Sequence, residues 1–253
     1  MAIASSKSHI PHIPHGTRVY AVGDIHGRLD LLEILHQSIL DDAKSAPGHK
    51  NVLIHLGDYI DRGPDSFGVV DSLAEFSPHN VEVINLKGNH EDFLLRFLGE
   101  KKGPSPLLDV WRDNGCLETF LSYGIDIRDP KDRTPDEQAA FIRQQFAEAV
   151  PDSHMRFYKG LRLRQTIGDY LFVHAGINPA NPIQHQKKND LIWIRGRFLN
   201  HSGPFDKVVV HGHTISKSPE VLDHRIGIDT GAYYSHRLTC LVLEGNDRYF
   251  LET

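Results

Sequence analysis

Two cysteines, Cys116 and Cys240, are all that the 253 residues carry. So few thiols exclude a disulfide framework and read as buried thiols in a reducing compartment. Long apolar runs are missing as well. No stretch reaches the roughly 18 residues that a membrane-spanning helix needs, so no membrane partner is expected. Met1 to Gly16 has no apolar h-region, which makes a secretory signal unexpected and the cytoplasm the expected location. Positive charge is in short supply: Lys and Arg number 28 against 33 Asp and Glu, for a formal net charge of −5. That balance argues against a duplex nucleic-acid binder driven by phosphate neutralisation. Repeats, low-complexity tracts and linker-like stretches are absent too. A chain of this length then has room for one larger α/β domain with a real core.

What is plentiful is histidine, with 17 in the chain. Three of them sit in "SSKSHIPHIPHG", Ser5 to Gly16, where two Ile-Pro-His units favour extended chain. Residues 1–17 are expected to form a loosely ordered arm rather than a metal site of His9, His12 and His15. Beyond it, apolar runs alternate with polar loops and helical stripes. Arg18 to Val22 leads into Gly23-Asp24-Ile25-His26-Gly27, and Leu31, Leu32, Leu35 and Ile39 then mark a helix. Asn51 to Leu56 leads into Gly57-Asp58-Tyr59-Ile60-Asp61-Arg62-Gly63, with a helix expected over 64–76. Val81 to Leu86 leads into Gly88-Asn89-His90-Glu91 and a further helix. Strand, polar loop and helix three times over predict an α/β fold with parallel strands. Residues 99–159 read as a helical insertion without concentrated chemistry, its "DEQAAFIRQQFAEAV" capped near Thr134-Pro135. Further strands end in His174-Ala-Gly, in His211-Gly-His213-Thr and in Asp229-Thr-Gly, and a hairpin turns at Gly245-Asn-Asp247.

Acids, amides and imidazoles thus follow the apolar runs one after another. In open α/β sheets, sites form beyond the carboxyl ends of strands, so these donors should converge on one rim. Mixed carboxylate, imidazole and amide donors suit two borderline divalent ions such as manganese, iron or zinc, whereas calcium would want more oxygen. Two such ions exceed the charge of their carboxylates, which calls for an anion such as phosphate. Arg62 and Arg195 add donor forks of the kind that grip phosphate.

At this point the ordered set "GDIHG", "GDYIDRG", "GNHE", "HAG" and "HGHT" resembles the phosphoprotein phosphatase family within the calcineurin-like metallophosphoesterases, from Arg18 to about Ala232. The resemblance implies a calcineurin-like metallophosphatase fold, a central β-sandwich of mixed sheets flanked by helices, over residues 18–253. It implies Asp24 and His26 on one metal, Asp58 bridging, and Asn89, His174 and His213 on the second, with manganese as the first expectation. It also implies in-line attack on phosphorus by a metal-bridging hydroxide, with His90 as general acid oriented by Asp61. Arg62 would bind phosphate, and Arg195 of "LIWIRGRF" would be the second phosphate arginine ahead of Arg197. Ile215 stands where many wider metallophosphoesterases place a second histidine, so the first metal lacks that imidazole.

The implied activity is a phosphomonoester hydrolase, first of all a serine/threonine protein phosphatase acting on phosphorylated protein or a small phosphoester. Symmetrical diadenosine tetraphosphate hydrolases look similar but tend to show "GNHD"; Glu91 and the complete second motif favour the phosphatase. A non-catalytic binding module would predict a broken ligand, and none is broken. Taken singly, Asp24 or Asp58 could cap a helix, His174 could be a core histidine, and Arg195 could stack on Trp193. Asp229 is expected to bond loop amides, Glu91 to sit in a first helical turn against the dipole, His55 to be packed in its strand, and His211 to stand behind the site. Whether Tyr233 or Tyr234 lines the cleft is open.

Overall fold

The computed structural model describes residues 10–99, 106–125, 127 and 133–253. Its first half runs β1 (Thr17–Val22), α1 (Leu29–Lys44), β2 (Lys50–His55), α2 (Ser66–Glu75), β3 (Val81–Asn85) and α3 (Asn89–Gly99). Four helices follow, α4 (Pro106–Arg112), α5 (Cys116–Ser122), α6 (Pro135–Ala149) and α7 (Asp152–Gly160). The second half holds β4 (Arg164–Ile167), β5 (Tyr170–Val173), α8 (Lys188–Trp193), α9 (Gly196–Leu199), β6 (Val208–His211), β7 (Glu220–Val221), β8 (Arg225–Gly227), α10 (Ala232–Ser235), β9 (Thr239–Glu244) and β10 (Asp247–Glu252).

The strands form two five-stranded sheets, β10-β9-β1-β2-β3 and β4-β5-β6-β8-β7. In the first sheet β1, β2 and the edge strand β3 are parallel, whereas β9 runs against β1 and β10 against β9. In the second sheet β5, β6 and β8 are parallel and β4 and β7 antiparallel. The mixed sandwich agrees with the family resemblance. The short edge strands β4 and β7 have too few residues to show a period and are not visible in the sequence pattern.

Strand alternation divides the core. Val19 and Ala21 of β1 meet Phe172, Val210 and Ile226 between the sheets, while Tyr20 and Val22 face outward onto Leu32, Leu35 and Ile39 of α1. On the opposite flank Leu171, Val173 and Val209 bury Leu191, Ile192 and Phe198. Strands buried on both faces must be apolar throughout, which explains the continuous runs ahead of each motif.

Residues 10–17 depart from the expected loose arm. Ile13 is buried between the sheets, its N–H reaches Gly245 O at 2.8 Å, and His12 O accepts Asp169 N–H at 3.0 Å. An apolar side chain between two prolines is not a periodic signal, so its burial is invisible to pattern reading. Residues 1–9 of that arm, including His9, lie outside the described residues. Thr134 caps α6 with the reciprocal bonds of a capping box to Glu137. No helix among the described residues is long and apolar enough to cross a membrane.

Candidate metal centre

The carboxyl ends of β1, β2, β3, β5 and β6 deliver Asp24 and His26, Asp58, Asn89 and His90, His174 and His213 to one rim, as sites in parallel sheets require. All six of the expected metal ligands are buried, and so are His90 and Asp61. Reaching that rim bends the backbone. Among the described residues seven non-glycine residues have positive φ, and five of them are His26, Asp58, Asp61, Arg62 and His213. Strain gathered this way marks a site whose surroundings over-determine the chain. Gly57 takes φ +111°, which side chains rarely adopt. Gly63 serves close approach: a Cβ there would overlap the His26 carbonyl.

Asp58 is the hub. Its Oδ2 lies 3.3 Å from His174 Nε2, 3.6 Å from His26 Nε2 and 3.7 Å from His90 Nε2, and its Oδ1 accepts the His90 N–H at 3.1 Å. Burial works against its charge, but His174 and His90 outweigh it and hold the carboxyl well below the ordinary carboxylate range. Asp24 behaves in the opposite way. Burial first, then the charges of Asp229 and Asp58, push it well above that range, although its oxygens accept the His213 N–H at 3.0 and 3.2 Å.

The residues fit divalent ions. His174 Nδ1 donates to Leu56 O at 3.0 Å and His26 Nδ1 to Ile60 O at 2.8 Å, because a carbonyl can only accept. Each bond turns Nε2 toward the rim, the arrangement that orients metal-binding imidazoles. His174 Nε2 lies 3.0 Å from Asn89 Oδ1, which brings two candidate ligand atoms side by side. His213 Nε2 is buried without a hydrogen-bond partner among the described residues, and burial, then His174, depresses its pKa to about 2, which keeps the ring neutral. His26 is likewise lowered, by burial and then by His90. Two triplets, His26/Asp58/His90 and Asp58/His174/His213, each hold their ligand atoms within 4.8 Å of one another. Asp24 is in neither triplet; His90 stands with His26 instead.

His90 Nδ1 is 2.5 Å from Asp61 Oδ2. Burial opposes protonation of His90, but Asp58 and the Asp61 hydrogen bond prevail and raise its pKa. Arg62 NH1 lies 3.1 Å from His26 Nε2 and NH2 lies 3.4 Å from His90 Nε2, with the guanidinium 5.1 Å from the Tyr233 ring centre. Tyr233, also edge-on to His26, therefore lines this rim, while Tyr234 is exposed. Arg195 is exposed at the start of α9, and its charge reaches His213. Asp229 accepts the Gly231 N–H, the expected loop amide, at 2.9 Å. His211 donates from Nδ1 to Gly212 O at 3.1 Å and packs edge-on against Phe198.

Two roles were not visible in the sequence. Glu91 sits in the first turn of α3 as expected, and it also accepts three backbone N–H groups, from Asp58, Tyr59 and Gly88 at 3.1, 2.8 and 2.9 Å. Burial and then Asp58 push its carboxyl up to about 7. The insertion, expected to hold no concentrated chemistry, sends Trp111 and Thr119 to Asp61. The capping-like spacing of Glu91 after Gly88 was the one available signal; Trp111 and Thr119 look like ordinary helix residues.

A family model described as calcineurin-like phosphoesterase matches residues 17–242. The chain is similar to bis(5'-nucleosyl)-tetraphosphatase PrpE (asymmetrical) of Bacillus thuringiensis strain Al Hakam, 27% identical over 241 residues, covering 87% of this chain and 88% of that protein. The protein of the same name from Anoxybacillus flavithermus strain DSM 21510 / WK1 is 28% identical with the same coverage. In fold, the chain resembles a cold-active protein-tyrosine phosphatase of a psychrophile Shewanella species, with a TM-score of 0.61, 16% identity, and 93% of this chain and 80% of that one covered. A candidate diadenosine tetraphosphatase superposes with a TM-score of 0.59, at 21% identity over 94% of each chain. With the family model spanning residues 17–242, this chain belongs to the calcineurin-like phosphoesterase family.

Proposed function

We propose that this phosphoesterase is a two-metal phosphomonoester hydrolase, with phosphoserine or phosphothreonine in protein as its first substrate class. Asp24, His26 and Asp58 would hold one divalent ion, and Asp58, Asn89, His174 and His213 the other; manganese fits these donors, as do iron and zinc. When bound, the ions would activate water and neutralise phosphate charge. Arg62, and Arg195 from the exposed side, would grip the phosphate oxygens. His90, protonated on both nitrogens, would keep its Nδ1–H on Asp61 and give its Nε2 proton to the departing oxygen.

One observation carries the choice of a monoester: a buried His90 raised in pKa and locked to Asp61 at 2.5 Å. A serine or threonine alkoxide leaves only if it is protonated, whereas a nucleotide phosphate leaves readily as the anion. The names of the relatives favour a second reading, asymmetrical cleavage of a dinucleoside tetraphosphate, in contrast to the symmetrical enzyme set out as the sequence alternative.

The test compares kcat/KM on a phosphothreonine peptide and on diadenosine tetraphosphate, after metal removal and restoration of Mn²⁺. Preference for the peptide, with a loss of about 10²–10⁴-fold in kcat for His90→Asn, is the expected result. Preference for the dinucleotide, with ATP and AMP as products, would establish the second reading. ADP alone as product would indicate symmetrical cleavage.

A further inference from the structure

The carboxylate of Asp61 has three donors on two oxygens. His90 Nδ1 and Trp111 Nε1 both lie 2.5 Å from Oδ2, and the Thr119 hydroxyl lies 2.5 Å from Oδ1. Indole N–H can only donate. The Thr119 hydroxyl gives its one proton to Asp61 Oδ1, because its own oxygen already accepts the Asp61 N–H at 2.9 Å and faces Ser66 Oγ at 3.0 Å. Asp61, Trp111 and Thr119 are all fully buried, so water cannot replace a lost donor. Asp61 is therefore limited to accepting, with Oδ2 turned toward His90.

The same helices hold the backbone. Asp61 and Arg62 have φ of +74° and +68°, two consecutive left-handed residues with side chains, a conformation that persists only where neighbours enforce it. Thr119 and Ser66 take the Asp61 N–H, and Gly115 O between α4 and α5 takes the Arg62 N–H at 3.0 Å. Phe93, Phe97 and Phe120 pack round the Trp111 ring and set its edge toward Asp61.

We infer that Trp111 and Thr119, supplied by the helical insertion, are positioning residues for the proton donor. They touch neither substrate nor metal ligands; they fix Asp61, and through Asp61 the imidazole of His90. This rests on the reading of His90 as general acid. Without either donor, Asp61 gains freedom to rotate, and the Nε2 proton of His90 is aimed less well at the leaving oxygen. The consequence is selective: turnover suffers where the leaving group needs a proton and is spared where it does not.

The experiment uses full-length, metal-loaded Trp111→Phe, Thr119→Val and Thr119→Ser, with His90→Asn alongside. The substrates are a series of aryl phosphates running from 4-nitrophenyl to phenyl. Trp111→Phe keeps an aromatic ring in the packing and removes the N–H together with part of the indole; Thr119→Ser keeps the hydroxyl. Expected for Trp111→Phe and for Thr119→Val is a kcat loss of about 10-fold on phenyl phosphate, the scale of other orienting contacts. On 4-nitrophenyl phosphate the loss should be under about 2-fold, with KM and metal content unchanged and Thr119→Ser close to wild type. If His90→Asn discriminates between leaving groups but Trp111→Phe and Thr119→Val lose equally across the series, or lose nothing, the positioning role is wrong while the general acid stands. If His90→Asn itself shows no discrimination, the general-acid reading fails and the positioning role falls with it.

Discussion

Glu91, in the first turn of α3, reaches back to the loop after β2 and accepts the Asp58 N–H on Oε2, which also accepts the Gly88 N–H, while Oε1 takes Tyr59. One carboxylate thus joins the loops after β2 and β3 across 33 residues of sequence. Glu91→Gln keeps the shape but leaves one buried N–H facing an amide NH₂. An unpaired buried donor costs about 1–3 kcal/mol, so the melting temperature should fall. Orienting contacts of this kind are worth about 10-fold or more in metal affinity. Titration calorimetry with Mn²⁺ checks this; an unchanged affinity would show that Glu91 supports the fold only.

Asp24 sits among like charges, and its raised pKa reflects burial together with Asp229 and Asp58. Neutralising it should relieve that repulsion when no ion is present. Metal-stripped Asp24→Asn is expected to melt a few degrees above metal-stripped wild type, about 1–2 kcal/mol, a trade of stability against function. Mn²⁺ should then stabilise wild type more than the variant. A lower melting point for the stripped variant would mean that its bonds to the His213 N–H outweigh the repulsion.

Arg62 and Arg195 should differ as phosphate ligands. Arg62 is half-buried beside His26 and His90, and Arg195 is exposed. Screening weakens an exposed charge. Arg62→Ala should raise the inhibition constant for inorganic phosphate by about 10-fold or more, and Arg195→Ala by only about 3-fold, with a smaller effect at high salt. Equal effects for the two variants would contradict this ranking.

His36 and His55 meet Nε2 to Nε2 at 2.9 Å between α1 and β2, and His55 Nδ1 continues to Asn85 Oδ1 at 2.8 Å. Burial, then His55, lowers His36 to about 3, and burial lowers His55 to about 4. Above a pH of about 6.5 both rings are neutral in the folded and unfolded chains and cost nothing. Below it the unfolded chain binds protons that the folded chain refuses, so stability falls as pH falls, levelling off only near the folded values. Each histidine contributes a slope of up to about 1.4 kcal/mol per pH unit in that window. Denaturant titrations between pH 7.5 and 5 should show a shallower loss for His36→Gln, which can still donate to His55. Parallel curves for the two proteins would refute the assignment.

Much of the site was legible because its signals are local. Asp58, Asn89, His174 and His213 stand directly after apolar runs, and strand direction alone sends such residues to one rim. Ile13 was not legible, since one apolar residue between prolines has no period. His55 was read as packed, which it is, but not as bonded to His36, because that partner comes from another element. The substrate was not legible either: serine phosphate and dinucleotide hydrolysis need the same ligands, and the motifs record the ligands.

Chain-local chemistry decided where strands end, which residues carry acid, amide or imidazole, and hence the metal-binding character of the rim. Folding alone decided which hydrogen bonds those residues make. Carbonyls of Leu56 and Ile60 select the histidine tautomers, and donors 50 and 58 residues away hold Asp61. The physical reason is range. Periodicity and turn chemistry act over a few residues, whereas a buried carboxylate is satisfied by whatever donors packing brings within about 3 Å, from any part of the chain.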